Sequence, residues 1–206
     1  VSTPETETLE AEIYELNEFI DSFSITGGTH RGFRRIFNEG VPEDYKWNKG
    51  GRLYSIGEDS FQRLKEKVRA KLRINGESTI ELDIRGSHLT ILHSKLDLIL
   101  DQTKDPYQVT GLPRDIVKAW ITMTLGYDKF HSKWPIEKKS DFEKKGINID
   151  EEYPLKEVKS IIFNHYPMMA KWPDYSIDCF DLMYFESVAI MNTMLDLKRT
   201  YSIPSL

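Results

Sequence analysis

The chain has 206 residues, 39% of them apolar and 30% charged, with a formal net charge of −5. That length suits one domain, or one domain with a subdomain, and can bury a large core. No apolar run is long enough to predict a transmembrane helix, so no membrane partner is expected. The single cysteine, Cys179, excludes an internal disulfide framework and a cysteine zinc cluster; a cytoplasmic location is the matching expectation.

Residues 5–22 (ETETLEAEIYELNEFIDS) read as a helix. Leu9, Ile13, Leu16 and Ile20 recur at helical spacing, and the acids gather toward its N-terminal end. Residues 1–27 carry seven acids and no Lys or Arg. Residues 28–75 carry twelve Lys and Arg against six Asp and Glu. A basic segment inside an acidic chain is an electrostatic footprint for phosphates, and equally the pattern of a solvated helix face. Within it, RGFRRIFNEG is short and basic, with Phe33, Ile36 and Phe37 apolar. Residues 40–52, rich in Gly, Pro, Asn and Asp, read as loop. Residues 59–73 predict an amphipathic helix with Phe61, Leu64, Val68 and Leu72 on one face.

NGE is then a turn before a strand expected over residues 78–84. Alternation puts Ile80, Leu82 and Ile84 on a buried face and Glu81 and Asp83 on the other. Residues 87–101 return to a helical period. Pro113 fits the first turn of a further helix running to about Leu125. Residues 128–154, rich in Lys, Glu and Asp, predict an exposed excursion. Helices are expected at 155–171 and 176–199. The class is α+β and helix-rich, with few strands and no internal repeat.

Several residues carry candidate chemistry. A carboxylate at a strand end, Asp83, is suited to Mg²⁺, which takes hard oxygen ligands and often only one or two protein carboxylates beside substrate phosphates. A solvent-facing aspartate or a helix cap fits the same pattern. Arg114 and Lys118 are four apart and share one helical face near its N-terminal end, an arrangement suited to a triphosphate or to simple solvation. KGGRLYS places Arg52 after two glycines, which permit close backbone approach. His88 and His93 stand ~140° apart on a helix, so they are poor partners for one metal. No Walker loop, dinucleotide fingerprint or nucleophile-elbow serine is present.

The order of these segments resembles that of family A DNA polymerases: GGRLYS, a basic stretch, IELDIRGSHLTILH, RDIVKAWITMTLGY, then FNHYPMMAKW. The resemblance covers roughly residues 31–206 and is nearest to short polymerase-like proteins of phages and mobile elements. It implies a palm-like small antiparallel sheet with helical fingers: an acidic N-terminal helix over 1–27, palm over 28–105, fingers-like helices and the polar excursion over 106–172, and palm again over 173–206. It further implies a template-dependent nucleotidyltransferase acting on primer–template nucleic acid and nucleoside triphosphates with Mg²⁺ (or Mn²⁺).

By the same resemblance, Asp83 and the carbonyl of Ile84 match the metal contacts of the first catalytic motif. Lys118 and Arg114 match the triphosphate-binding pair. Arg52, with Arg34 and Arg35, matches nucleic-acid contacts. His88 stands where DNA polymerases usually carry a glutamate that screens the sugar, and Gly126 near a position that is often tyrosine. The family continues past the equivalent of Leu206 into a His-Asp hairpin. The chain as given is therefore expected to be catalytically incomplete: a fragment, a chain whose tail is disordered, or a subunit completed by another polypeptide. The competing expectation is a nucleic-acid-binding or regulatory module that keeps the palm scaffold without activity. The acidic helix has no family counterpart; packing against or shielding the basic stretch around residues 59–73, or binding a partner, are its candidate roles.

Overall fold

A computed structural model of the chain describes residues 3–40 and 44–206. Its class is mixed α+β and helix-rich, with small antiparallel sheets. The chain divides into two compact units: Val1–Asp83 with Met183–Leu206, and Ile84–Leu182.

The first unit begins with α1 (Pro4–Asp21). Thr3 caps it reciprocally: its Oγ1 accepts from the Thr6 N–H, and Thr6 Oγ1 accepts from the Thr3 N–H. Leu16 and Ile20 are buried on one face, as the spacing predicts, each worth roughly 1.5–3 kcal/mol in transfer from water. They join Phe33, Phe61, Leu72, Met191, Met194 and Leu195 in one apolar cluster.

β2 (Phe33–Phe37) pairs antiparallel with β3 (Gly50–Ser55), with a register shift between Ile36 and Phe37. The loop expected over residues 40–52 is therefore corrected at its end, where Gly50–Arg52 are strand; residues 41–43 of it lie outside the described residues. Both glycines have positive φ, +71° and +66°, which other residues adopt only with strain. They let the strand enter the bulged pairing, and the Gly51 carbonyl then accepts from Arg35 Nε at 2.9 Å and from the Ser187 hydroxyl.

A second sheet has the order β1 (Ile25–Thr26), β4 (Arg73–Ile74), β5 (Glu77–Ser78). Asn75 and Gly76, both at positive φ, close the two-residue turn between β4 and β5, the backbone such a hairpin requires. The single amphipathic helix expected over 59–73 is corrected. It is a 3₁₀ turn at Phe61–Arg63, the short α2 (Glu66–Arg69), and then strand. Leu72 alone of the tail is deeply buried there, whereas Val68 is exposed. The acidic helix lies against β2, and Glu15 pairs with Lys198 and Arg199 rather than with the basic residues around α2.

The second unit is helical: α3 (Ser87–Lys95), α4 (Arg114–Leu125), α5 (Ile136–Glu143), α6 (Ile149–Glu152), α7 (Leu155–His165) and the first turn of α8 (Cys179–Asp196). Its core gathers Leu89, Leu92, Ile116, Trp120, Ile121, Ile162, Met169, Trp172 and Leu182. The expected polar excursion at 128–154 is corrected too. Trp134, Phe142 and Ile149 are buried anchors, and the Trp134 indole N–H donates to the Tyr153 carbonyl at 2.9 Å. Three apolar residues suffice to dock a mostly charged segment onto an existing core. The helix expected at 155–171 ends at His165 and continues as a 3₁₀ segment from Pro167 to Asp174, since Pro167 has no N–H to extend the α ladder.

Candidate functional site

The strand expected over 78–84 stops at Ser78. Its partner β4 has only two residues, because the chain before it is taken up by the turn after α2. Beyond Ser78, the Thr79 N–H still donates to the Leu72 carbonyl at 3.4 Å. From Ile80 onward no strand runs alongside among the described residues. The apolar face is accordingly not buried: Ile80 is 85% exposed, Leu82 89% and Ile84 51%. Alternation encodes a two-faced strand, while a neighbour decides whether the faces are covered.

Asp83 is exposed in this segment and makes no ion pair among the described residues. It does not cap α3, whose N-cap is Gly86 at φ +60°. Glu81, on the same side of the alternation, is held twice by Arg69: Nη2 to Oε1 at 2.6 Å and Nε to Oε2 at 3.3 Å.

The first unit also holds the predicted nucleic-acid residues. Arg34 is exposed on β2 with no ion pair among the described residues. Arg35, its neighbour, points inward: its side chain is 4% exposed, bonded to Gly51, 3.4 Å from Ser187 Oγ and 3.9 Å from Glu12. Burial pulls the Arg35 pKa down, while Glu12 opposes that shift. Arg52 on β3 donates to Glu186 at 3.0 Å. Glu186 and Ser187 carry no recognisable pattern in the sequence, and only the fold brings them beside β3.

A groove of about 1020 Å³ runs between α1 and the Gly28–Phe37 stretch, with Trp47 on its edge; Arg34, Arg35 and His30 line it. His30 Nδ1 lies 3.1 Å from Ser55 Oγ, whereas its Nε2 is buried with no hydrogen-bond partner. Desolvation pushes the His30 pKa down, partly opposed by Asp21.

In the second unit, α4 presents Arg114 and Lys118 together, as their spacing predicts. Both cations lie over the Tyr107 ring, at 5.4 and 5.9 Å from its centroid. Arg114 is engaged: Nε donates to Asp105 at 2.5 Å, and this bond is the main cause of the lowered Asp105 pKa. Lys118 is exposed with no ion pair among the described residues. Asp105 and Tyr107 were not singled out by sequence; the Asp-Pro-Tyr turn before α4 was the available signal. His88 is partly buried on α3. His93 is buried, with Nδ1 at 2.7 Å from the Leu89 carbonyl, a structural contact.

Among the described residues no group of three His, Cys, Asp or Glu side chains forms a metal cluster, and no helix is long and apolar enough to cross a membrane. Comparison with family models, curated proteins and solved structures finds no match.

Proposed function

We propose that this chain is the core of a template-dependent nucleotidyltransferase resembling family A DNA polymerases. One observation carries the reading: Asp83 and Lys118, the carboxylate and the cation it needs most, are both exposed and outside any ion pair among the described residues. Their neighbours in the same reading are engaged, as in Arg52–Glu186 and Arg114–Asp105, and Glu81 beside Asp83 is held by Arg69. The ordered segments from GGRLYS to FNHYPMMAKW add to it.

The donor set at Asp83 is hard oxygen, the carboxylate and the Ile84 carbonyl, which fits Mg²⁺ or Mn²⁺. A bound divalent ion supplies charge neutralisation and an activated primer hydroxyl. Its remaining ligands would come from substrate phosphates, water and a carboxylate outside any cluster seen here, including one from another polypeptide. Lys118 holds the triphosphate electrostatically, and Arg114 joins it by exchanging Asp105 for phosphate. Arg52 makes the same exchange from Glu186 to the nucleic-acid backbone. His88 sits on α3 for the sugar, and Arg34 adds a backbone contact.

The test is primer–template extension with Mg²⁺ or Mn²⁺ and with both sugar types. Asp83→Ala is expected to abolish incorporation without loss of helical signal, and Lys118→Ala to raise the KM for nucleotide. Extension by Asp83→Ala at the wild-type rate would discard the reading.

A second reading is a nucleic-acid-binding module without catalysis. The exposed cations Arg63, Lys65, Lys67 and Lys71, none in an ion pair among the described residues, favour it. It expects salt-sensitive binding with no extension, and replacing two of these lysines by alanine should flatten the log-affinity against log-salt slope by up to ~2.

A further inference from the structure

β5 is the edge strand of its sheet. One side of it faces β4, through the pairs Arg73↔Ser78 and Ile74↔Glu77 and the Thr79-to-Leu72 bond. The two-residue turn makes Ile74 and Glu77 the bonded pair, so Glu77 and Thr79 direct their backbone groups toward β4. In an extended continuation, Ser78, Ile80, Leu82 and Ile84 direct theirs to the open side. No backbone hydrogen bond ties Ile80–Asp83 among the described residues, and Arg85 and Gly86 turn the chain into α3. An open edge carrying three exposed aliphatic side chains is a template for another strand.

We propose that this edge pairs with the same segment of a second copy of the chain, antiparallel and centred on Glu81. That register opposes Ile80 with Leu82 twice, giving an apolar strip on one face. It sets Glu77 of each copy against Arg85 of the other, two complementary charge pairs. Thr79 faces Asp83. The only directly opposed like-charge pair, Glu81 against Glu81, is relieved because each Glu81 already holds an Arg69 of its own copy at 2.6 Å. The bonded pairs are then Ile80↔Leu82 and Ser78↔Ile84, which are the residues whose backbone groups face the open side. A register centred on Leu82 would instead set Glu81 against Asp83 twice and lose the Glu77–Arg85 pairs. This inference stands independently of the nucleotidyltransferase reading, since it uses only the edge and its self-complementarity.

The central position is a non-bonded pair, with Cα atoms ~4.5 Å apart, inside the roughly 4.4–6.8 Å a disulfide spans. Glu81→Cys is therefore expected to form a covalent dimer on mild oxidation. Thr79→Cys and Asp83→Cys are expected to crosslink when mixed, far faster than either does alone. The native Cys179 is buried and does not compete. By light scattering over a concentration series, the wild-type mass is expected to rise from 24.1 kDa toward twice that value. Leu82→Lys and Glu77→Arg are each expected to abolish the rise, and Glu77→Arg with Arg85→Glu to restore it. Far-ultraviolet circular dichroism controls for folding in every variant. A monomer at all concentrations, with no crosslink in the Glu81→Cys variant, would overturn the proposal, as would a dimer indifferent to Leu82→Lys; crosslinking with failed charge-swap rescue would overturn the register.

Discussion

The two units use different means to hold themselves together. The helical unit buries large rings and aliphatic side chains against one another: Trp120 lies edge-on to Phe163 at 5.8 Å, Trp172 is 2% exposed, and Leu182 is fully covered. The sheet-bearing unit has a smaller apolar cluster and leans on polar clamps. Asn17 accepts from the Phe33 N–H at 2.6 Å and donates to the Phe33 carbonyl at 3.1 Å, fastening α1 to β2. The Ser24 N–H donates to Asn75 Oδ1, and the Asn75 N–H to the Ser24 carbonyl, both at 2.8 Å. Short strands bury too little surface to stand alone, so backbone-directed side chains and special φ angles take over.

The largest expected effect tests the helical side of that contrast. Trp120→Ala should cost ~3–5 kcal/mol, because it removes a fully buried ring and leaves a cavity among Phe130, Phe163 and α7. Amide exchange should accelerate through α4 and α7 far more than through the β2–β3 hairpin. Equal acceleration in both would mean that the units do not unfold separately. The next effect tests the sheet side. At Gly51 a Cβ would sit 2.8 Å from Phe37 Cε1 and 3.0 Å from Arg35 Nη2, at φ +66°. Gly51→Ala should therefore cost ~1–3 kcal/mol through backbone strain and contact. The loss should appear as a lower melting temperature with exchange concentrated in β2 and β3. An unchanged melting temperature would show that the bulge relaxes freely.

The same contrast explains what the sequence made legible. α1, α4 and most of α7 follow from apolar spacing, because a helix makes its own hydrogen bonds and needs a neighbour only for one stripe. Pro113 stands at the N-cap of α4, one residue before the first-turn place expected of it, and the helix ends at Leu125 as expected. The strands are different, because each needs a partner that spacing along one chain does not name. The alternation Ile80, Leu82, Ile84 reads as a half-buried strand and is in fact an exposed segment beyond the end of β5. β3 hides behind two glycines that look like loop. Of the candidate site, the shared face of Arg114 and Lys118 was legible, since it depends only on helix geometry. The carboxylates that engage Arg52 and Arg114, Glu186 and Asp105, were not. One is 134 residues distant in sequence and the other lies in a turn nine residues before its partner.

The smallest effect concerns the clamp between the two ends of the sheet-bearing unit. Glu15 on α1 accepts from Arg199 Nη2 at 2.6 Å and from Nε at 2.9 Å, and it pairs with Lys198 at 3.0 Å. Those bonds, Arg199 first, hold its pKa down to about 2 from an ordinary 4.5. A carboxyl whose folded pKa lies below its unfolded one binds fewer protons when folded. Its contribution is therefore complete above pH 4.5 and is lost as pH falls toward 2. Partial exposure limits the whole contribution to roughly 1 kcal/mol. Glu15→Gln should lower the melting temperature slightly at pH 7, and the difference from wild type should shrink steadily between pH 4.5 and 2. His30 works in the opposite part of the scale: its burial lowers the pKa, so its neutral form stabilises the fold above the ordinary 6.5 and that support weakens as pH falls below it. A Glu15→Gln difference that fades already near pH 6 would therefore point to His30 coupling across α1, and one that persists unchanged to pH 2 would mean that the carboxylate's charge contributes nothing to the clamp.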